Sequence, residues 1–333
     1  MKKLTYSLLP LGITVGLCLN IAPASATLLV RNVIPDAALS IDGFGSLSNN
    51  GVIQANIPTG STIQRAYLYA TSVWDSSPVY DVIFHGTTLS VGSATILGPD
   101  QNPATTARWD VTSIIASSFT GGLQDFSILE NGDNDGEVLV VAYSNPSTQG
   151  FTSVILDGEL STGGDTIQFD FASPYTGGDF LVSLASSYSR QPSGQFTQID
   201  VTTNSTINRR LTTSAGGADD RTTGELSDNG NLITVGGIGD NPANVAPTTE
   251  PMDTNPDDEY YNLALGNSAN PAPFISLGDT FLRLTTQNPT DDDNVFGMFI
   301  TISPTPVPEP SMTLGIFGIG AIGALISRLG KKS

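Results

Sequence analysis

The chain has 333 residues, with 32 Asp and Glu against 13 Lys and Arg and a formal net charge of −19. Its four lysines sit at the two ends (Lys2, Lys3, Lys331, Lys332) and the body carries only scattered arginines, so its surface repels phosphate backbones and argues against nucleic-acid binding. One histidine (His85) and one cysteine (Cys18) rule out a zinc centre built from those ligands.

At the N-terminus, Lys2 and Lys3 precede an apolar run from Leu8 to Ile21 and then Ala24-Ser25-Ala26. A basic start, a short apolar run and small residues at alternate positions predict a signal peptide over residues 1–26, cleaved after Ala26. Cys18 leaves with it, and Leu17 in front of it argues against a lipoprotein cysteine. The exported chain is then free of thiols and disulfides.

Residues 27–303 read as strands separated by turns. In STIQRAYLYATSVW (Ser61 to Trp74), Ala66, Leu68 and Ala70 alternate with Ile63, Tyr67 and Tyr69. YDVIFHGTTLSV, EVLVVAYS, FTSVILDG, DTIQFDF, DFLVSLASSYS, TQIDVTT, NLITVGG, TFLRLTT and NVFGMFITIS follow, rich in β-branched and aromatic residues. Turns fall at Gly86, Asn145-Pro146, Asp157-Gly158, Gly163-Gly164 and Gly177-Gly178. The continuously apolar EVLVVAYS predicts a central strand covered on both faces. One short helix is expected after Asp110, which would cap VTSIIASS. Gly216 to Asn262 is rich in Gly, Asp, Asn and Pro and reads as long loops. The fold class is therefore all-β, β-sandwich or jelly-roll-like, as one elaborated domain or as two split near residue 158.

The sharpest local motif is NGDNDGE. Asn131, Asp133, Asp135 and Glu137 offer oxygens at the spacing of a Ca²⁺ loop, with Gly136 allowing the sharp turn. A polar hairpin turn uses the same residues. The acidic runs Asp291-Asp292-Asp293, Asp219-Asp220 and Asn255 to Leu263 offer carboxylates that a cation or solvent would relieve. No catalytic constellation stands out: His85 lacks a nucleophile elbow, and Glu130, Glu137, Glu159 and Glu225 are acids that nothing singles out as a glycosidase pair. Trp74, Tyr80, Trp109, Tyr175, Tyr188, Tyr260 and Tyr261 could stack on sugars or fill the core.

At the C-terminus, Pro308-Glu309-Pro310 is followed by an apolar run from Met312 to Ile326 and by Arg328, Lys331 and Lys332. This three-part stretch, residues 304–333, resembles a PEP-CTERM sorting signal, with one transmembrane helix over about 312–327. The resemblance implies recognition by an exosortase-type membrane enzyme, processing near the triplet, and delivery to the cell surface or an exopolysaccharide matrix. The basic end independently predicts that the body lies outside the membrane. The body itself resembles uncharacterised secreted β-rich surface domains of bacteria and archaea through AYLYATSVW, RWDVTSII, GEVLVVAYSNPS, LITVGGIGDNP, DDEYYNLA and DDDNVFGMFITI. The expectation is an exported structural or adhesive surface protein, transiently anchored in the inner membrane, with exopolysaccharide or other surface proteins as its candidate partners. The alternatives are a carbohydrate-binding module and a polysaccharide-acting hydrolase.

Overall fold

A computed structural model describes residues 28–45, 48–73, 79–97, 105–161, 163–187, 197–215, 232–242, 244, 259–289 and 294–304. The signal peptide with Ala24 and Ala26, the sorting triplet Pro308 to Pro310 and the helix expected at 312–327 lie outside these residues. So do Trp74, Tyr188, Asp219, Asp220 and Asp291 to Asp293. Among the described residues no helix is long and apolar enough to cross a membrane.

The chain opens with β1 (Leu29–Pro35), β2 (Ala38–Gly45), β3 (Asn50–Ile57) and β4 (Thr62–Ser72). A hairpin of β5 (Val82–Phe84) and β6 (Thr87–Leu89) precedes β7 (Thr95–Ile96) and β8 (Thr106–Asp110). Helix α1 (Thr112–Ser118) leads into β9 (Gly122–Glu130) and β10 (Asn134–Ser144). The second half contributes β11 (Thr152–Asp157), β12 (Thr166–Asp170), β13 (Phe180–Ser187) and β14 (Thr197–Thr202). It ends with β15 (Arg209–Ala215), β16 (Ile233–Val235), β17 (Tyr260–Asn262), β18 (Phe281–Gln287) and β19 (Asn294–Ile302). Strand accounts for 55% and helix for 6%, so the chain is all-β.

Four antiparallel sheets form two sandwiches. The first pairs an outer sheet, β3-β9-β5-β6, with an inner one, β2-β10-β4-β8-β7. The second pairs an inner sheet, β1-β11-β19-β13-β16 with β17 beside β13, with an outer one, β12-β18-β14-β15. Ile53, Leu68, Phe84, Phe126 and Leu139 fill the first sandwich, and Leu156, Phe169, Val182, Ile199 and Met298 the second. A third apolar layer, with Ile41, Tyr69, Val138, Val140, Ile155, Phe296 and Phe299, joins the two inner sheets back to back.

Strand β10 explains its own sequence. Leu139 and Val141 face the first core while Val138 and Val140 face the layer between the sandwiches, so both faces must be apolar. Strand β4 follows the expected alternation from Ala66 to Ala70, but Ile63 packs with Ala66 and Leu68 rather than with Tyr67 and Tyr69. The cause is a register shift beside Tyr143, where the ladder passes from Arg65 to Ile63 and one extra residue flips the face. Asp110 accepts the Thr112 N–H at 3.0 Å at the start of α1, one residue ahead of the formal cap Val111. His85 and Gly86, both in the left-handed region, make the β5–β6 turn.

The N-terminal strand does not belong to the first sandwich. β1 pairs with β11, Pro35 opposite Thr152, and the Asp36 N–H donates to Phe151 O at 2.8 Å. Residues 36–151 are thus a sandwich inserted between two neighbouring strands of the other. The passage back occurs between β10 and β11, ahead of residue 158.

Candidate functional site

The hairpin joining β9 to β10 carries the NGDNDGE motif and bridges the two sheets of the first sandwich. Glu130 ends β9 on the side of Phe126 and Ile128, and Glu137 lies on β10 on the side of Leu139. Both carboxyls therefore enter one end of the first core, where Glu130 is 4% and Glu137 0% exposed. Burial, then the charge of Glu130 and a hydrogen bond to it, pushes Glu137 well above the ordinary carboxyl range. The pair holds a proton that an exposed glutamate would have lost, because two adjacent desolvated carboxylates cannot both ionise.

Asn134 organises the hairpin. Its Oδ1 accepts the Tyr80 N–H at 2.8 Å, and its Nδ2 donates to Glu137 Oε1 at 3.3 Å. Gly136 is needed where it stands, with φ +151; a Cβ there would collide with Phe44 O and with Ile233 of the second sandwich. The four expected Ca²⁺ ligands part into two groups. Asn131 and Asp133 are exposed, with Asn49 Nδ2 bonded to Gly132 O and 3.5 Å from Asp133 Oδ1, whereas Asp135 and Glu137 are buried. Among the described residues no group of three or more His, Cys, Asp or Glu side chains is set to hold a metal ion.

A second buried acid, Asp157, closes the layer between the sandwiches. It is fully buried and receives Arg31 from β1, Arg108 from β8 and, at 3.0 Å, the Tyr69 hydroxyl from β4. Burial first and Asp157 second push the Tyr69 phenol well above its usual range. The Arg108 guanidinium sits 5.0 Å over the Tyr67 ring, and the Tyr67 hydroxyl donates to Asn32 at 2.8 Å. Residues of both sandwiches share this cluster, so it fixes their mutual register. Sequence reading assigned nothing to Asp157 beyond a turn. Glu159, also fully buried, accepts the Thr106 N–H at 2.7 Å across the same layer.

The other candidates separate clearly. His85 is exposed at its hairpin tip, its ring centroid 5.2 Å from that of Phe126 in an edge-on arrangement. Trp109 and Tyr261 belong to the cores, Trp109 Nε1 donating to Ser90 O at 2.9 Å. The Tyr175 hydroxyl donates to Gly178 O, and burial pushes that phenol up to about 12. Among the described members of this aromatic set Tyr80 alone is exposed, at 48%, its ring lying against the Gly132 backbone. An open cavity of about 460 Å³ lies at the β14–β15 turn, lined by Ser205, Ile207, Arg209, Asn270, Pro273 and Ser276 among others.

Outside this body, one comparison is decisive. Residues 306–331 match the PEP-CTERM protein-sorting motif. The motif marks the chain for export and for processing by an exosortase-type enzyme, and it covers less than a tenth of the sequence. No curated protein matches the chain. Among solved structures, one of PNGF-II is 10% identical with a TM-score of 0.25. The match covers 82% of this chain and 66% of that one, so the chain spans just under two thirds of its length.

Proposed function

We propose that the chain is a structural or adhesive surface protein, a rigid double sandwich delivered to the exterior by its sorting signal, without catalytic chemistry of its own. The observation that carries this reading is the junction. The sorting motif begins two residues beyond Pro304, directly after β19, which lies between β11 and β13 in the second inner sheet. The signal is thus attached to the end of the central strand of the second inner sheet, and what it delivers is the whole stack. The buried acids support the same reading: Glu130 with Glu137, and Asp157 with its arginines, are spent on internal bonds and closed to a substrate.

The test combines sorting with phenotype. Wild-type protein recovered from surface and medium should end near the Pro308-Glu309-Pro310 triplet by intact mass. A Pro308→Ala, Glu309→Ala, Pro310→Ala variant should stay in the membrane fraction with its mass extending to Ser333. Cells lacking the protein should lose attachment or matrix retention, restored by the wild type and not by the triplet variant; attachment unchanged in both would overturn the reading.

The half-exposed Tyr80 ring favours one second reading, a carbohydrate-binding module in exopolysaccharide. Binding on a glycan array that is lost in Tyr80→Ala would establish it, and silence across matrix sugars would remove it.

A further inference from the structure

Ten large apolar side chains stand exposed among the described residues, and the two most exposed, Ile207 at 78% and Leu277 at 75%, stand on two turns that are hydrogen-bonded to each other. Ile207 tips the β14–β15 turn beside Asn208, which takes φ +42, and Leu277 tips the turn before β18 beside Gly278, at φ +92. The turns are tied together: Asn204 Oδ1 accepts the Thr280 N–H at 2.6 Å, and Ser205 Oγ donates to Asp279 at 2.8 Å. Turn tips of soluble proteins are ordinarily polar, so bare aliphatic tips on two linked turns ask for an apolar neighbour.

Their position names it. The chain leaves the body at Ser303–Pro304, where Ser303 N–H donates to Asp179 O at 3.0 Å. The same loop turns through Tyr175, whose N–H donates to Asp279 O at 2.8 Å and whose O accepts the Gly278 N–H at 2.9 Å. Leu277 and Ile207 thus stand at the end of the second sandwich from which the sorting segment departs. From Pro304 to Met312, where the apolar run begins, eight residues reach at most about 28 Å even fully extended. While the segment occupies the membrane, that end of the body is held within reach of the lipid headgroups.

At the apolar end, Asp279 is buried and bonded to Ser205 and Ser276, while Arg209 lies 3.8 Å over the Phe274 ring, its guanidinium bonded to the carbonyls of Asn270, Ala272 and Pro273.

We propose that this end is a membrane-facing foot: Ile207 and Leu277 enter the lipid interface beside the anchored sorting segment, with Arg209 at headgroup level. It rests on the reading that the segment anchors the chain. The foot would hold the body in one orientation while the processing enzyme acts, rather than leaving it free on its short tether.

The test uses the full chain with Cys18→Ala, into which single cysteines are introduced by Ile207→Cys, Leu277→Cys or, on the first sandwich's outer sheet, Val52→Cys. Each is labelled with an environment-sensitive fluorophore in vesicles of phosphatidylethanolamine and phosphatidylglycerol, with and without brominated lipid. Positions 207 and 277 should shift blue and be quenched at least about twofold, position 52 neither. Emission at 207 and 277 matching that at 52, in protein that floats with the vesicles, overturns the foot and leaves anchoring intact. Protein that fails to float overturns anchoring and the foot together.

Discussion

Replacing Glu137 with glutamine should flatten the dependence of stability on pH. The folded protein holds the Glu137 proton above the pH at which the unfolded chain, near 4.3, releases it. Over that window the native state binds more protons than the unfolded one, so stability falls as pH rises, and it is fully present only below the unfolded value. Each pH unit inside that window costs at most about 1.4 kcal/mol for this one proton. Glu137→Gln keeps the size of the side chain and the carbonyl that accepts from Asn134, and it carries no titrating proton. Urea midpoints from pH 4.5 to 8, at constant slope, should show the wild type losing stability with rising pH and the variant losing markedly less. Because the two carboxyls titrate together, Glu130→Gln should flatten the curve as well, and the double variant should add little to either. Parallel curves for wild type and Glu137→Gln would refute a shared, buried proton.

Asp157→Ala strands Arg31 and Arg108 between the sandwiches and should cost roughly 3–5 kcal/mol in urea unfolding. Tyr69→Phe, losing one hydrogen bond to the same acid, should cost about 1–2 kcal/mol, and less than that once Asp157 is gone. Gly136→Ala should destabilise by roughly 2–5 kcal/mol through backbone strain and collision with Phe44 and Ile233. Gly86→Ala, also at positive φ but open to solvent, should cost only about 1–2 kcal/mol in the same urea unfolding. With Glu137 committed to Glu130, excess Ca²⁺ and a chelator should give the same Tm; a rise in Ca²⁺ would show that the ion draws Glu137 out of the pair.

Features set by neighbours in sequence were legible before the fold was known. The run from Val138 to Ala142 announced a strand covered on both faces, and His85-Gly86 marked a tight turn, because each depends on local periodicity or turn chemistry. Features set by pairing between distant strands were not. Glu130 and Glu137 meet only because β9 and β10 join different sheets of one sandwich, and sequence offered each as one acid among many. Ile63 changes face through a bulge that leaves no mark in the alternation. Within NGDNDGE the spacing drew the eye to Asn131, whereas the residue that secures the hairpin is Asn134. Nothing local told that β1 would cross a 116-residue insertion to pair with β11, since residues 36–151 fold between them.

The position of β19 has a mechanical consequence. It pairs with β11 from Thr152 to Asp157 on one side and with β13 from Phe180 to Ser187 on the other, and its C-terminal end continues into the sorting segment. A protein held by that segment while its body is dragged by flow feels tension along the strand axis. Both ladders then resist in shear, their hydrogen bonds strained together, whereas an edge strand pulled sideways would unzip one bond at a time. For as long as the segment holds the chain, a pull would therefore load the sheet in shear rather than unzip it.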